Sequence, residues 1–322
     1  MKKLTVALLS GGISSEREVS INSGNQVFEA LDKEKYEIIR YDPKTDIDRL
    51  VADAPKIDVA LIILHGLYGE DGTVQGLLDL LNISYQGSGV LGSAIAMNKV
   101  ISKQLFQKHG LPIPEYIIAE KGDTIDPASC RKQIGLPMVV KPAEGGSSVG
   151  MSIVKTEDAL KSALNKAFEY DETVLIESYI KGIEITGGVI GNKDLQALPI
   201  IEIIPDEKHD FFDYEAKYTA GITQEICPAR IDGSLTEQAQ TYAKMAHQAL
   251  SCRGYSRTDM ILKGNDIYVL ETNTIPGMTS TSLLPQAANA AGLNFSQLLD
   301  RLIELGIEGI RLRRNEERPC GT

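Results

Sequence analysis

No apolar run in this sequence approaches the roughly 20 residues needed to cross a bilayer, so membrane residence is not expected. The run Leu4-Thr5-Val6-Ala7-Leu8-Leu9 follows two lysines but is too short for a signal peptide and soon meets Glu16-Arg17-Glu18; it reads as a buried strand. Cysteine is sparse. Cys130, Cys227, Cys252 and Cys320 show no CxxC spacing, which points to neither a zinc site nor a disulfide framework and fits a reducing cytosol. A basic excess is missing too: the formal charge of -11 denies nucleic acid and anionic membranes the field they require. There is no GxxxxGK[ST], so a Walker-type P-loop is excluded. No internal repeat is visible.

What is present is an ordinary soluble balance, 43% apolar and 24% charged, over 322 residues. That length predicts two or three packed units with clefts between them. The first ninety or so residues alternate strand and helix: strands at 4–9, 36–41 and 59–65, helices after Ser15 and over 73–81. Such alternation predicts a parallel sheet whose ligands gather at the carboxyl ends of its strands, where Gly11-Gly12 and His65-Gly66 fall. Ser15 with Glu18 three residues on is a capping-box signal, and it places Glu16 in the first helical turn, aimed at the sheet edge. A helix over 98–108 ends at His109-Gly110, and Leu111-Pro112-Ile113-Pro114 then forces an extended linker. Beyond it come a compact α+β unit and then a third region of longer strands, with a helix over 236–250 and a hairpin over 255–273. The expected division is an N-terminal substrate-binding unit (1–96), a central unit (97–184), a C-terminal unit carrying metal and catalytic groups (185–310) and a frayed tail (311–322).

Two triplets near the end of the chain carry the strongest chemical signal. In Arg257-Thr258-Asp259, strand alternation puts Arg257 and Asp259 on one face; in Glu271-Thr272-Asn273 it does the same for Glu271 and Asn273. A three-residue turn at Gly264-Asn265-Asp266 sets Asp259 opposite Glu271 and Arg257 opposite Asn273, whereas a two-residue turn puts the pairs on opposite faces. Carboxylates about 4 Å apart repel by about 4 kcal/mol at an effective dielectric near 20, so a cation is expected between them. Two carboxylates and an amide oxygen suit magnesium shared with nucleotide phosphates, and Arg257 stands ready for a developing oxyanion. The competing reading is a solvated hairpin with ordinary surface charges.

Other segments are weaker alone. Lys141 ends an apolar strand before the Gly/Ser loop 144–150, a cradle for a triphosphate or simply a glycine-rich hairpin. His65 among glycines reads as a substrate contact, against the alternative of a core histidine. The polar-aromatic stretch 210–218 reads as a lid or as packing at a seam. Gly277 offers a backbone donor for an oxyanion, or marks a plain turn.

Taken in order, Gly11-Gly12-Ile13-Ser14-Ser15-Glu16-Arg17-Glu18-Val19-Ser20, HGLYGEDGTVQG, KPAEGGSSVG, DYEAKY, RTD and ETNTIPGMTSTSL resemble the D-alanine–D-alanine ligase family of the ATP-grasp superfamily. The likeness spans nearly the whole chain. It implies an ATP-grasp fold preceded by an N-terminal parallel-sheet domain, and a cytoplasmic homodimer serving peptidoglycan synthesis. Its substrates would be ATP and D-alanine, with two Mg2+ or Mn2+ as cofactors. Lys99 and Lys141 look like the lysines on the ATP phosphates, Glu177 and Glu184 like the acids at adenine and ribose, and Asp259, Glu271 and Asn273 like the metal ligands. Arg257 and the Gly277 N–H correspond to the groups that stabilise the tetrahedral intermediate, and Glu16 to the anchor of the first ammonium. Ser282 and Leu283 lie where the second substrate binds; Ser147, Lys217 and Tyr218 resemble the elements that close the lid. Tyr218 favours a dipeptide over D-alanyl-D-lactate. Asn98, Gly145 and Thr281 depart from the frequent family residues and leave D-serine open as a second substrate. A non-catalytic nucleotide-binding regulator on the same fold is the alternative of another class.

Overall fold

The apolar run Leu4–Leu9 is strand β1, buried along its last five residues, in a computed structural model of the chain that describes residues 3–146, 149–205 and 223–316. Parallel neighbours flank it: β2 (Tyr36–Tyr41) on one side, then β3 (Val59–Ile62) and β4 (Ser84–Tyr85) on the other. The crossovers α1 (Arg17–Ala30), α2 (Ile47–Asp53) and α3 (Thr73–Leu80) explain why β1 and β3 are apolar on both faces. Helices α4 (Val90–Met97) and α5 (Lys99–Lys108) lead away from this sheet.

The second sheet is antiparallel, in the order β5 (Tyr116–Glu120), β8 (Thr173–Ser178), β6 (Met138–Pro142), β7 (Ser152–Val154). With α6 (Pro127–Ile134) and α7 (Leu160–Ala167) it encloses a core of its own, around Met138, Val140, Leu160, Val174 and Ile176. The third sheet contains β9 (Ile183–Gly191), β10 (Gln196–Ala197), β11 (Ile201–Pro205), β12 (Thr223–Ile226), β13 (Gly254–Lys263) and β14 (Asp266–Asn273). Its order is β12-β11-β9-β13-β14, with β10 beside β9. Helix α8 (Gly233–Ala249) packs on one face, where Ala239, Ala243 and Ala246 present only methyl groups and so let it lie close over Gly187 and Met260. The other face stays open at one end. At its far end it is covered by α9 (Leu283–Ala290), whose Leu284 lies against Gly188.

The last helix, α10 (Phe295–Glu316), joins the first and third sheets. Its Leu298 and Leu302 share one core with Val6 and Leu8 of β1 and with Leu284 of α9. Gly306 is required at this seam, because a Cβ there would come within 2.8 Å of the Tyr85 and Gln86 backbone. Asp300 reinforces it, accepting from Lys35 Nζ at 2.6 Å and from Tyr36 Oη at 2.8 Å. Residues 311–316, expected to fray, continue this helix; 317–322 lie outside the described residues. No helix among the described residues is long and apolar enough to cross a membrane.

The hairpin reaches its expected pairing by another route. Lys263 pairs with Asp266 across a two-residue turn, Gly264-Asn265, the alternative that by itself would put the two pairs on opposite faces. A bulge between Asp259 and Met260 then shifts the register by one residue, with Leu270 the extra residue on β14. Asp259 therefore still faces Glu271, and Arg257 still faces Asn273.

Candidate active site

Glu16 is the N-cap residue of α1, and the Ser15–Glu18 capping box does not form. Ser14 does the local work instead: its Oγ donates to the His65 carbonyl at 2.6 Å and accepts from the Glu16 N–H at 3.2 Å. This tie holds the β1 and β3 ends together, and the Glu16 side chain is buried beside it. Gly66 has to be glycine there, with φ +71 and a Cβ position only 2.9 Å from Glu16 Oε2. On its other side Gly66 donates its N–H to Glu70 Oε2 at 2.7 Å.

Burial, together with the Glu16 charge, pushes the Glu70 carboxyl up to about 8, and burial pushes His65 below its usual range, which favours its neutral form. Between 4.5 and about 8 the folded chain keeps a proton on Glu70 that the unfolded chain has lost. Stability contributed by this group therefore falls as pH rises through that window, by at most about 1.4 kcal/mol per pH unit. Glu70→Gln is expected to lose that slope, so that its melting temperature gains on the wild type from about pH 5 to about pH 8. A difference that stays constant with pH would count against this assignment.

At the start of α5, Asn98 caps the helix by accepting the Ile101 N–H at 3.0 Å and also donates to Glu144 Oε1 at 3.0 Å. An aspartate could make the first bond but would repel Glu144, which accounts for the asparagine here. Lys99 donates to the Gly145 carbonyl at 2.6 Å, so helix and glycine loop are tied at two points. Lys141, near the end of β6, lies 3.0 Å from Glu177 on β8, and the same carboxylate lies 2.9 Å from Lys103 of α5. The two lysines outweigh the cost of burial and hold Glu177 below the usual carboxylate range.

On the open face of the third sheet, Arg257 grips Asp259 with two hydrogen bonds, Nε to Oδ1 at 2.9 Å and Nη2 to Oδ2 at 2.7 Å. Thr186 Oγ1 donates to the same carboxylate at 2.6 Å and Asn273 Nδ2 at 3.1 Å. Glu271 stands across from it, and its charge acts on both Lys103 and Lys141. Among the described residues no three His, Cys, Asp or Glu side chains converge as a metal-binding group. The protein thus offers two carboxylates and an amide, an incomplete shell that suits a hard cation able to keep water and phosphate oxygens, and does not suit zinc.

At the other end, Ser282 is the N-cap residue of α9; its Oγ accepts the Thr279 N–H at 3.1 Å and lies against Gly277. The N-terminus of this helix is open to an anion. Gln286 of α9 donates to the Thr281 carbonyl at 2.6 Å and also to Glu225 of β12, a half-buried carboxyl that burial pushes upward.

These groups line two adjoining cavities. The first, between the second and third sheets, is lined by Lys141, Glu177, Glu184 and Asp259; the second, of about 700 Å³, by Glu16, His65, Arg257, Asn273, Gly277, Ser282 and Leu283. Lys99 and Glu271 line both. Every candidate among the described residues is brought to this pair of cavities. Ser147, Lys217, Tyr218 and the proposed lid over 210–218 lie outside the described residues. Sequence reasoning missed Lys103, Glu70, Thr186, Glu225 and Gln286. Lys103 was legible in one respect, four residues from Lys99 and so on its helix face. Thr186 meets Asp259 only through the pairing of β9 with β13, which no local pattern announces.

Comparison with known proteins agrees with this architecture. The profile described as D-ala D-ala ligase C-terminus matches residues 105–304, and that described as D-ala D-ala ligase N-terminus matches 5–51 and 42–88. A D-alanine–D-alanine ligase of Syntrophobacter fumaroxidans is 63% identical over 307 residues, covering 95% of this chain and 99% of the relative. The D-alanine–D-alanine ligase of Bacillus anthracis in complex with ATP superposes with a TM-score of 0.83 at 40% identity, over 97% of this chain and 99% of that one. The VanG D-Ala:D-Ser ligase of Enterococcus faecalis superposes with a TM-score of 0.80 at 32% identity, over 95% and 100%.

Proposed function

Since the chain belongs to the D-alanine–D-alanine ligase family, we propose that its two cavities are the nucleotide and amino-acid halves of one active site. In this reading it condenses two D-alanines with ATP, through a D-alanyl phosphate, and yields ADP, phosphate and D-alanyl-D-alanine for peptidoglycan synthesis. The observation that carries it is the open face of the third sheet, which runs from the nucleotide cavity at Glu184 and Asp259 to the amino-acid cavity at Arg257 and Asn273.

A carboxylate attacking the γ-phosphate is one anion approaching another, and Lys99 and Lys141 lower that barrier at the phosphates. Glu184 sits on the cavity wall for the ribose. Glu177, whose carboxylate also meets two lysines, faces adenine on the same lining stretch as Ser178, Tyr179 and Ile180. Buried Glu16 pairs with the ammonium of the first D-alanine, beside neutral His65. Two magnesium or manganese ions, held by Asp259, Glu271 and Asn273, would supply charge neutralisation at the phosphates. Arg257 and the Gly277 N–H then hold the oxyanion formed when the second amine attacks. Ser282, Leu283 and the N-terminus of α9 receive the carboxylate of that second D-alanine. Ser147, Lys217 and Tyr218 are assigned to the lid that keeps water from the acyl phosphate. The setting we propose is a cytoplasmic homodimer.

The VanG likeness keeps D-serine as a second reading for the acceptor, because Thr281 and Gln286 shape that end of the cavity. The relative at 63% identity favours D-alanine. Purified protein, ATP, magnesium and either D- or L-alanine form the test. Phosphate and a dipeptide mass are expected with D-alanine alone, and product from L-alanine only, or from neither, defeats the proposal.

A further inference from the structure

Behind the nucleotide cavity three ionisable side chains meet away from water. Lys103 is fully buried with its Nζ 2.9 Å from Glu177 Oε1, and Lys141 Nζ lies 3.0 Å from Glu177 Oε2. One carboxylate is thus divided between two ammonium groups, and they come from different bodies of the fold. Phe106, on the same helix as Lys103, packs into the core beneath α8, whereas β6 and β8 enclose the separate core of the second sheet. Around Lys103 stand Glu177 of β8, Lys141 of β6, Glu271 of β14 and the ring of Tyr116 of β5 at 5.8 Å. The reaction as derived above has no part for Lys103.

Charge shows what it could do. Glu177 with Lys141 alone is a neutral pair, which gives an approaching polyphosphate little to meet. A second lysine on the same carboxylate leaves one positive charge over. Lys141 is the member with access to the cavity, its side chain 11% exposed against 0% for Lys103. We propose that Lys103 is a positioning residue for nucleotide binding: it occupies one oxygen of Glu177 so that the charge of Lys141 remains available to the phosphates of ATP. This rests on the assignment of Lys141 to those phosphates. Because the Lys103–Glu177 contact bridges the two bodies, it also fixes Lys141 relative to Lys99 on the same face of α5.

A pH effect accompanies the geometry. Burial pulls Lys103 below the usual lysine range despite Glu177, whereas Glu177 and Glu271 outweigh burial at Lys141 and raise it. As pH climbs, Lys103 loses its proton first.

The test compares Lys103→Met, Glu177→Gln, Lys141→Met and the Lys103→Met/Glu177→Gln double variant of the full chain, by ATP titration and steady-state kinetics. Lys103→Met is expected to raise KM for ATP about tenfold, the scale of one lost charge-assisted contact, with KM for D-alanine unchanged. Adding Glu177→Gln should restore part of that loss, because Lys141 is then no longer neutralised; a packing role predicts losses that simply add. Additive losses, or wild-type ATP binding by Lys103→Met, overturn the proposal. Wild-type ATP binding by Lys141→Met would instead overturn the parent assignment. The unaltered chain supplies an arm independent of folding: KM for ATP should rise in the alkaline range, and a flat profile there also overturns the proposal.

Discussion

Arg257→Met is expected to lower kcat by about 10²–10³-fold, the scale of losing one preorganised oxyanion donor. Arg257 sits in the amino-acid cavity with its guanidinium already fixed by two hydrogen bonds to Asp259, so it needs no reorganisation when charge develops on the carbonyl oxygen. ATP affinity should change much less, because Lys141 and Glu184 line the other cavity, which Arg257 does not. Arg257→Lys should recover only a small part, since an ammonium cannot hold Asp259 with a planar fork and face the substrate at once. Steady-state kinetics with a parallel ATP titration separates these effects. Equal losses in kcat and in ATP affinity would show that Arg257 acts on the nucleotide instead.

The second large effect is expected at Glu271. Glu271→Gln keeps the shape but removes the charge that faces Asp259 and acts on Lys103 and Lys141, and activity should fall by about 10³-fold. Raising the magnesium concentration should recover part of it, as expected for a weakened cation site. The fold should tolerate the change, because the strands are also joined on their other face by the buried contact of Thr258 Oγ1 with Thr272 Oγ1 at 3.0 Å. A melting temperature within a few degrees of wild type, with activity lost, is the predicted pattern. Activity near wild type at low magnesium would contradict it.

The hairpin shows how far the sequence could be read. Strand alternation correctly placed Arg257 with Asp259 and Glu271 with Asn273, because period two is a local property of extended chain. A two-residue turn was expected to put the pairs on opposite faces, and the bulge at Leu270 keeps them on one. A bulge depends on what holds both strands, including the β9 partner of β13, and no short window contains that information. The parallel sheet was legible for the opposite reason: alternation of apolar strand and helix over the first ninety residues leaves few topologies. Glu16 was expected in the first turn through Ser15, yet Ser14 secures the start of α1, its hydroxyl reaching the His65 carbonyl beyond the end of β3. Nothing local shows that Lys103 and Lys141 converge on Glu177 from two other elements.

The central claim is that a D-alanine carboxylate, held beside Glu16, attacks the γ-phosphate of ATP across this sheet face. D-alanine labelled with ¹⁸O in its carboxyl group tests it directly, by mass analysis of the inorganic phosphate released during turnover. One labelled oxygen carried into phosphate for each dipeptide formed is the predicted result; unlabelled phosphate with normal dipeptide yield would contradict the account.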